Sequence, residues 1–248
     1  FNGYWWSTGN PSFLIELLKS KNYFIPELSH YRADSVMLDS FDVDHIELVA
    51  LLWQTGYLTI EREEKGPFGS IYYLAPPNRE IRLSLNRLFI NYLTTQTGEV
   101  LRYQQTIYDV LSDGDVAALE GVFTRLFASI PYQHFTNNKL QDYEGYYTSV
   151  IYAYLASLGF ETIPEDSTNH GRIDLTLKME GKVFLFEVKV VDKPEESSNA
   201  LGDDKALAQI RERLYAEKYT GEFEVYSIGI TFCKQIRNVC GFVWECAS

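Results

Sequence analysis

The chain has 248 residues, 46% of them hydrophobic, and a formal net charge of −12. That length gives one large or two ordinary domains, and the hydrophobic content excludes a disordered chain. No apolar run reaches the length of a membrane span and no signal-peptide pattern is visible, so a cytoplasmic location without membrane attachment is expected. Cys233, Cys240 and Cys246 are odd in number and lack zinc spacing; they read as core or free thiols in a reducing compartment. The acidic balance argues against strong unaided binding of nucleic acid, which draws on a basic surface. A local basic patch would have to come from side chains such as Arg172, Lys189, Lys205, Arg211 and Arg213.

In chain order, Asn10 as N-cap and Pro11 at the first helical position start a helix that runs to about Lys19. Residues 42–54 read as a second helix ended by Gly56. Residues 57–60 and 70–74 are strand-like, joined by a charged loop containing Gly66-Pro67-Phe68-Gly69, and 78–93 is a helix capped by Asn78. Helix, hairpin, helix is a winged-helix-like arrangement. Residues 99–129 are largely helical and bridge to the second half. There, 142–159 reads as an amphipathic helix with Tyr147, Val150, Ile151, Tyr154, Leu155 and Leu158 on its apolar side. Residues 160–164 follow as a strand and 165–170 as a loop.

The next stretch carries the chemistry. Ile173, Leu175 and Leu177 alternate with Asp174, Thr176 and Lys178, and Phe184, Phe186, Val188 and Val190 alternate with Val183, Leu185, Glu187 and Lys189. Alternation predicts two strands, and Glu180-Gly181 supplies the two-residue turn between them. That register sets Asp174 opposite Glu187, roughly 4.5–5.5 Å apart at Cβ, with Lys189 on the same face. Opposed carboxylates destabilise a sheet unless neutralised, and a hard divalent ion, Mg²⁺ or Mn²⁺, would do so. Lys189 is placed to orient or deprotonate an attacking water, or to steady charge on a scissile phosphate. The ordinary alternative is a solvated strand edge, but Val183 and Leu185 share the carboxylate face and the run 183–190 reads as a central strand. Beyond it lie a polar loop at 192–203, a helix over 204–219 and a last strand over 223–231.

Asp174, Glu187 and Lys189 in this setting resemble the PD-(D/E)XK nuclease superfamily, and most of all the nuclease-like domain at the C-terminus of bacterial AAA-ATPase-like proteins of unknown function. Ile173 stands where that pattern has Pro. The resemblance implies an α+β fold: an N-terminal helical and winged-helix-like region, then an αβββαβ domain with a mixed central sheet. It implies Asp174, Glu187 and Glu144 as metal ligands, Lys189 as catalytic, and Gln209 as a site residue, with Gln209 and Tyr215 similar to a Gln…Tyr feature of the recombination-nuclease branch. Implied domains are 1–95 (the end of an ATPase-like domain), 96–134 (a helical connector) and 135–248 (nuclease-like). The first methionine is Met37, so a fragment is expected; the phosphate-binding loop, and with it ATP, would belong to a region upstream, since no G-x-x-x-x-G-K-[ST] is present. The expected function is a Mg²⁺-dependent endonuclease on nucleic acid, DNA foremost, with a catalytically silent regulatory or interaction module as the alternative.

Overall fold

The computed structural model describes residues 31–39, 48–67, 69–94, 98–131, 144–197 and 204–247. It divides into two compact units, 1–92 and 93–248. The helix expected over 10–19 and the first part of that expected over 42–54 lie outside the described residues. Among the described residues, no helix is long and apolar enough to cross a membrane.

The first unit holds β1 (Tyr31–Asp34), α1 (Ser35–Asp39), α2 (Leu48–Gln54), β2 (Thr59–Gly66) and β3 (Gly69–Ala75), and leads into α3 (Arg79–Thr94). The strands form an antiparallel sheet in the order β1-β3-β2, with β1 an addition to the sequence reading. Residues 61–66, expected as a charged loop, extend the hairpin instead. Strand β2 is an edge and its charges all face water, a setting in which charged strand residues cost little. Cross-strand contacts hold it: the Arg62 guanidinium lies 3.8 Å from the Tyr73 ring centre, and the Tyr73 hydroxyl donates to Glu64 Oε2 at 2.8 Å. Asn78 caps α3, its Oδ1 accepting from Ile81 N–H at 2.9 Å.

The second unit is built on a five-stranded mixed sheet in the order β4-β5-β6-β7-β8. Its strands are β4 (Glu161–Thr168), β5 (Gly171–Met179), β6 (Lys182–Val191), β7 (Glu224–Cys233) and β8 (Asn238–Ala247). Only the β6–β7 pair is parallel. Strand β6 is central, and Val183 to Phe186 are fully buried on both faces, as an unbroken apolar run predicts. Strand β8 is an element the sequence reading lacked.

Helices α4 (Val100–Asp113), α5 (Val116–Ala128) and α6 (Glu144–Ser157) belong to this unit, and Gly114 at φ 72 separates the first two. Tyr147 of α6 stacks on Phe232 at 4.3 Å, and Phe127 of α5 meets the same ring edge-on at 4.7 Å. Helix α6 is not amphipathic as expected. Tyr146 to Ala156 are all buried, because α4 packs on it as well as the sheet. On the opposite face lies α7 (Lys205–Glu212), whose Leu207 and Ile210 join Val183, Leu185, Val225 and Val243 in one apolar cluster. Asp204 caps α7 through Leu207 N–H at 2.8 Å. The helix expected to reach 219 stops at Glu212, since Leu214 adopts φ 51 and the chain resumes as a 3-10 turn, Tyr215–Lys218.

Candidate active site

The β5–β6 turn is as expected, with Glu180 and Gly181 both at positive φ (51 and 79), the requirement of a type I′ hairpin. Pairing follows from Met179↔Lys182 to Leu175↔Phe186 and stops there. Asp174 and Glu187 come next in register, but they are not a ladder pair. Instead, Asp174 Oδ2 accepts Val188 N–H at 2.8 Å. A side-chain carboxylate thus takes the place of a main-chain carbonyl, and the two acids avoid the head-on approach that a ladder pair would force. The β4–β5 ladder also skips this point: it pairs Pro164 with Leu175 and Asp166 with Ile173, while Glu165 between them has φ 45. The sheet is therefore open on both sides of Asp174.

Glu187 is 1% exposed. Its Oε1 accepts Lys189 Nζ at 2.7 Å, and its Oε2 is buried without a hydrogen-bond partner. Burial first, and the charge of Asp174 second, push its carboxyl up to about 7 from the ordinary 4.5. Burial also raises Asp174, against the pull of Val188 N–H and Lys189. Lys189 goes the other way from a desolvated amine. Burial lowers it, but the hydrogen bond and charge of Glu187, with Asp174 and Glu144, outweigh this and hold it above its ordinary value.

Glu144 opens α6 with Oε1 3.9 Å from Lys189 Nζ, and burial raises its carboxyl. The structure thus gathers Asp174, Glu187, Lys189 and Glu144. Among the described residues, no three acidic, His or Cys side chains are grouped closely enough to hold an ion by themselves; the Lys189 ammonium stands between Glu187 and Glu144. Gln209 lies half-buried on α7, the helix that covers the Glu187 face, and makes no side-chain hydrogen bond to the site among the described residues. Tyr215 is buried and donates to Arg172 O at 2.6 Å, two residues before Asp174.

Two features were missed. Asp166, expected in a loop, is a buried strand residue that accepts from Thr176 Oγ1 at 3.0 Å, from the Tyr219 hydroxyl and from Lys218 Nζ. No alternation marks it, because the reversal at Glu165 breaks the period. Gly229 lies beside Glu187 in the β6–β7 register. A Cβ there would stand 2.7 Å from Asp204 Oδ1 and 2.8 Å from Leu207 N, so α7 must shift to admit one. Gly229→Ala is expected to cost about 1–3 kcal/mol in urea unfolding; an unchanged midpoint would contradict this seating of α7.

Residues 142–242 match the family model of the PD-(D/E)XK nuclease superfamily. This segment is a PD-(D/E)XK nuclease superfamily domain. The whole chain is also similar to an uncharacterized protein in the vnfD 5′ region of Azotobacter chroococcum mcd 1, at 38% identity over 246 residues. The alignment takes in 99% of this chain and 46% of that relative, so the chain spans about half the relative's length. Asp174, Glu187 and Lys189 all fall inside the matched segment.

Proposed function

We propose that the chain is a Mg²⁺- or Mn²⁺-dependent phosphodiesterase that cleaves nucleic acid, with DNA the expected substrate. The observation that carries this reading is Glu187, a fully buried carboxylate with one oxygen on Lys189 and the other on nothing, beside the half-buried carboxylate of Asp174. An unpartnered buried charge is costly, and a hard cation with oxygen ligands would satisfy it. Mg²⁺ commonly takes one or two protein carboxylates and keeps several waters, so Asp174 and Glu187 fit as its protein ligands, with Glu144 as an outer partner. When bound, such an ion supplies a Lewis acid for the phosphate and lowers the pKa of coordinated water.

Lys189 does its part as an ammonium. Its acidic neighbours favour the charged form, which supports orientation of water and stabilisation of phosphate charge over the role of general base, for which a lowered pKa is needed. Gln209 would support the site from α7. In plasmid, single-stranded DNA and RNA cleavage assays with Mg²⁺ or Mn²⁺, Glu187→Ala and Lys189→Ala are each expected to lower the rate by about 10²-fold or more. Residual cutting equal to the wild type would assign the activity to a contaminant.

The Lys189 ammonium, which already holds Glu187 Oε1 at 2.7 Å, favours one second reading, a silent nuclease-fold interaction module. Calorimetric titration with Mn²⁺ separates the two: heat that vanishes in Glu187→Ala supports the enzyme, and no heat at millimolar ion supports the module. We extend the proposal to the first unit, whose helix, three-stranded sheet and helix support a winged-helix-like end of an ATPase-like region. The greater length of the relative leaves room for such a region, and ATP would bind there.

A further inference from the structure

The acidic chain needs a local means of holding a polyanion. Of the five cations that could form a patch, Arg211 is engaged by Glu245 through two nitrogens, at 2.9 and 2.5 Å. Arg172 and Arg213 instead both belong to the β4–β5 turn, Arg172 by sequence and Arg213 by its bond to that turn, two residues from Asp174. Arg213 Nη1 donates to His170 O at 2.8 Å, and the Tyr215 hydroxyl fixes the Arg172 carbonyl. Gly171, between His170 and Arg172, has φ 150, and a Cβ there would stand 2.9 Å from the Tyr215 hydroxyl and 3.5 Å from Arg213 Nη1, so the turn closes tightly on Tyr215 and Arg213. Arg213 is exposed and has no carboxylate partner among the described residues. Arg172 is 63% exposed and pairs with the exposed Glu165, a contact of the kind that contributes about 0–1 kcal/mol and leaves most guanidinium donors free.

The geometry points to this turn as the binding site for the phosphodiester backbone of the strand entering the site, with Arg172 and Arg213 as the contacts. This rests on the nuclease reading and adds to it the grip that the net charge leaves unexplained. Alternation puts Arg172 and Asp174 on one side of β5, with Ile173 buried between them. Two strand residues span about 7 Å, comparable to the through-space separation of neighbouring phosphates along one strand. A guanidinium at that distance meets a phosphate near the scissile one, and its planar fork suits phosphate oxygens. The bonds to His170 and Arg172 carbonyls hold the turn in advance, which lowers the ordering cost of binding. The shared chemistry is the backbone, common to DNA and RNA.

The test uses the full chain carrying Glu187→Gln, so that strands stay intact, and reads anisotropy of fluorescent DNA and RNA strands at several salt concentrations. Adding R172A and R213A should weaken binding to all sequences alike and reduce the slope of log K against log salt by about 1–2. Arg211→Ala, whose charge rests on Glu245, should leave the slope unchanged. Arg172→Gln alone, at an exposed side chain, should reduce the slope by just under about 1 and covers the case in which loss of Arg213 loosens the turn. A parent that binds while R172A/R213A and Arg172→Gln keep its slope overturns this inference and leaves the nuclease reading standing. A parent that binds neither strand also overturns it, and the cleavage assay then decides the nuclease reading separately. A larger loss on DNA than on RNA identifies the source of the backbone.

Discussion

Metal-free protein carrying Glu187→Gln is expected to melt at a higher temperature than wild type at about pH 8, with the gap closing by about pH 4. The Glu187 carboxyl is pushed up to about 7 from 4.5 by burial and by Asp174. A raised carboxyl favours the folded state fully below 4.5, and that contribution is lost as pH rises through about 7. At about 1.4 kcal/mol per pH unit, the deficit above neutrality is on the order of 3 kcal/mol. Glutamine keeps the shape without the charge and removes the deficit. Under the proposed function, Mg²⁺ or Mn²⁺ should then stabilise wild type far more than the variant, because an ion held by the folded site and not by the unfolded chain favours folding. Equal melting curves across this range, with and without metal, would contradict the buried-carboxylate account of Glu187. The same substitution abolishes cleavage under the proposed function, so stability and activity move in opposite directions at one residue.

The second large effect is structural. Phe232→Ala is expected to cost about 3–5 kcal/mol in urea or thermal unfolding. Phe232 is fully buried, with Tyr147 stacked at 4.3 Å and Phe127 edge-on at 4.7 Å. Such ring pairs add about 0.5–1.5 kcal/mol beyond burial, and the two remaining rings cannot collapse smoothly into the space that Phe232 leaves. Leu101→Ala, at a side chain 74% exposed, serves as control and should stay within about 0.5 kcal/mol. A loss of under about 1 kcal/mol at Phe232 would mean that this aromatic seam is not the core of the second unit. Phe127 lies outside residues 142–242, so the seam also joins α5 to the family-matched segment. A piece cut at 135, the expected domain boundary, would lay that face bare to water.

The hairpin was legible because alternation and turn chemistry are local. Glu180-Gly181 set the register, and register alone brought Asp174, Glu187 and Lys189 to one place. Their finer arrangement was not legible. The bond from Val188 N–H to Asp174 depends on two ladders parting at once, and the left-handed Glu165 that helps part them is neither Gly nor Asn. The encasement of α6 was hidden because a helix period reports one buried face and cannot announce a second covering layer. The break in α7 turns on Leu214, a good helix former held at φ 51 by tertiary context rather than propensity. Strand β8 and the burial of Asp166 likewise depend on partners far away in sequence.

The parallel pairing of β6 with β7 has a consequence for the order in which the molecule assembles. The β5–β6 hairpin closes through a two-residue turn, so Asp174 and Glu187 meet early and while still hydrated. Strand β7 and α7 arrive only after a long crossover, and such non-local closure is slow. Dehydration of the acids therefore falls on the late docking step. Between acid and neutral pH the hairpin should form at a nearly constant rate while the final closure slows, making the barrier of this fold, as well as its depth, responsive to the charge it was built to carry.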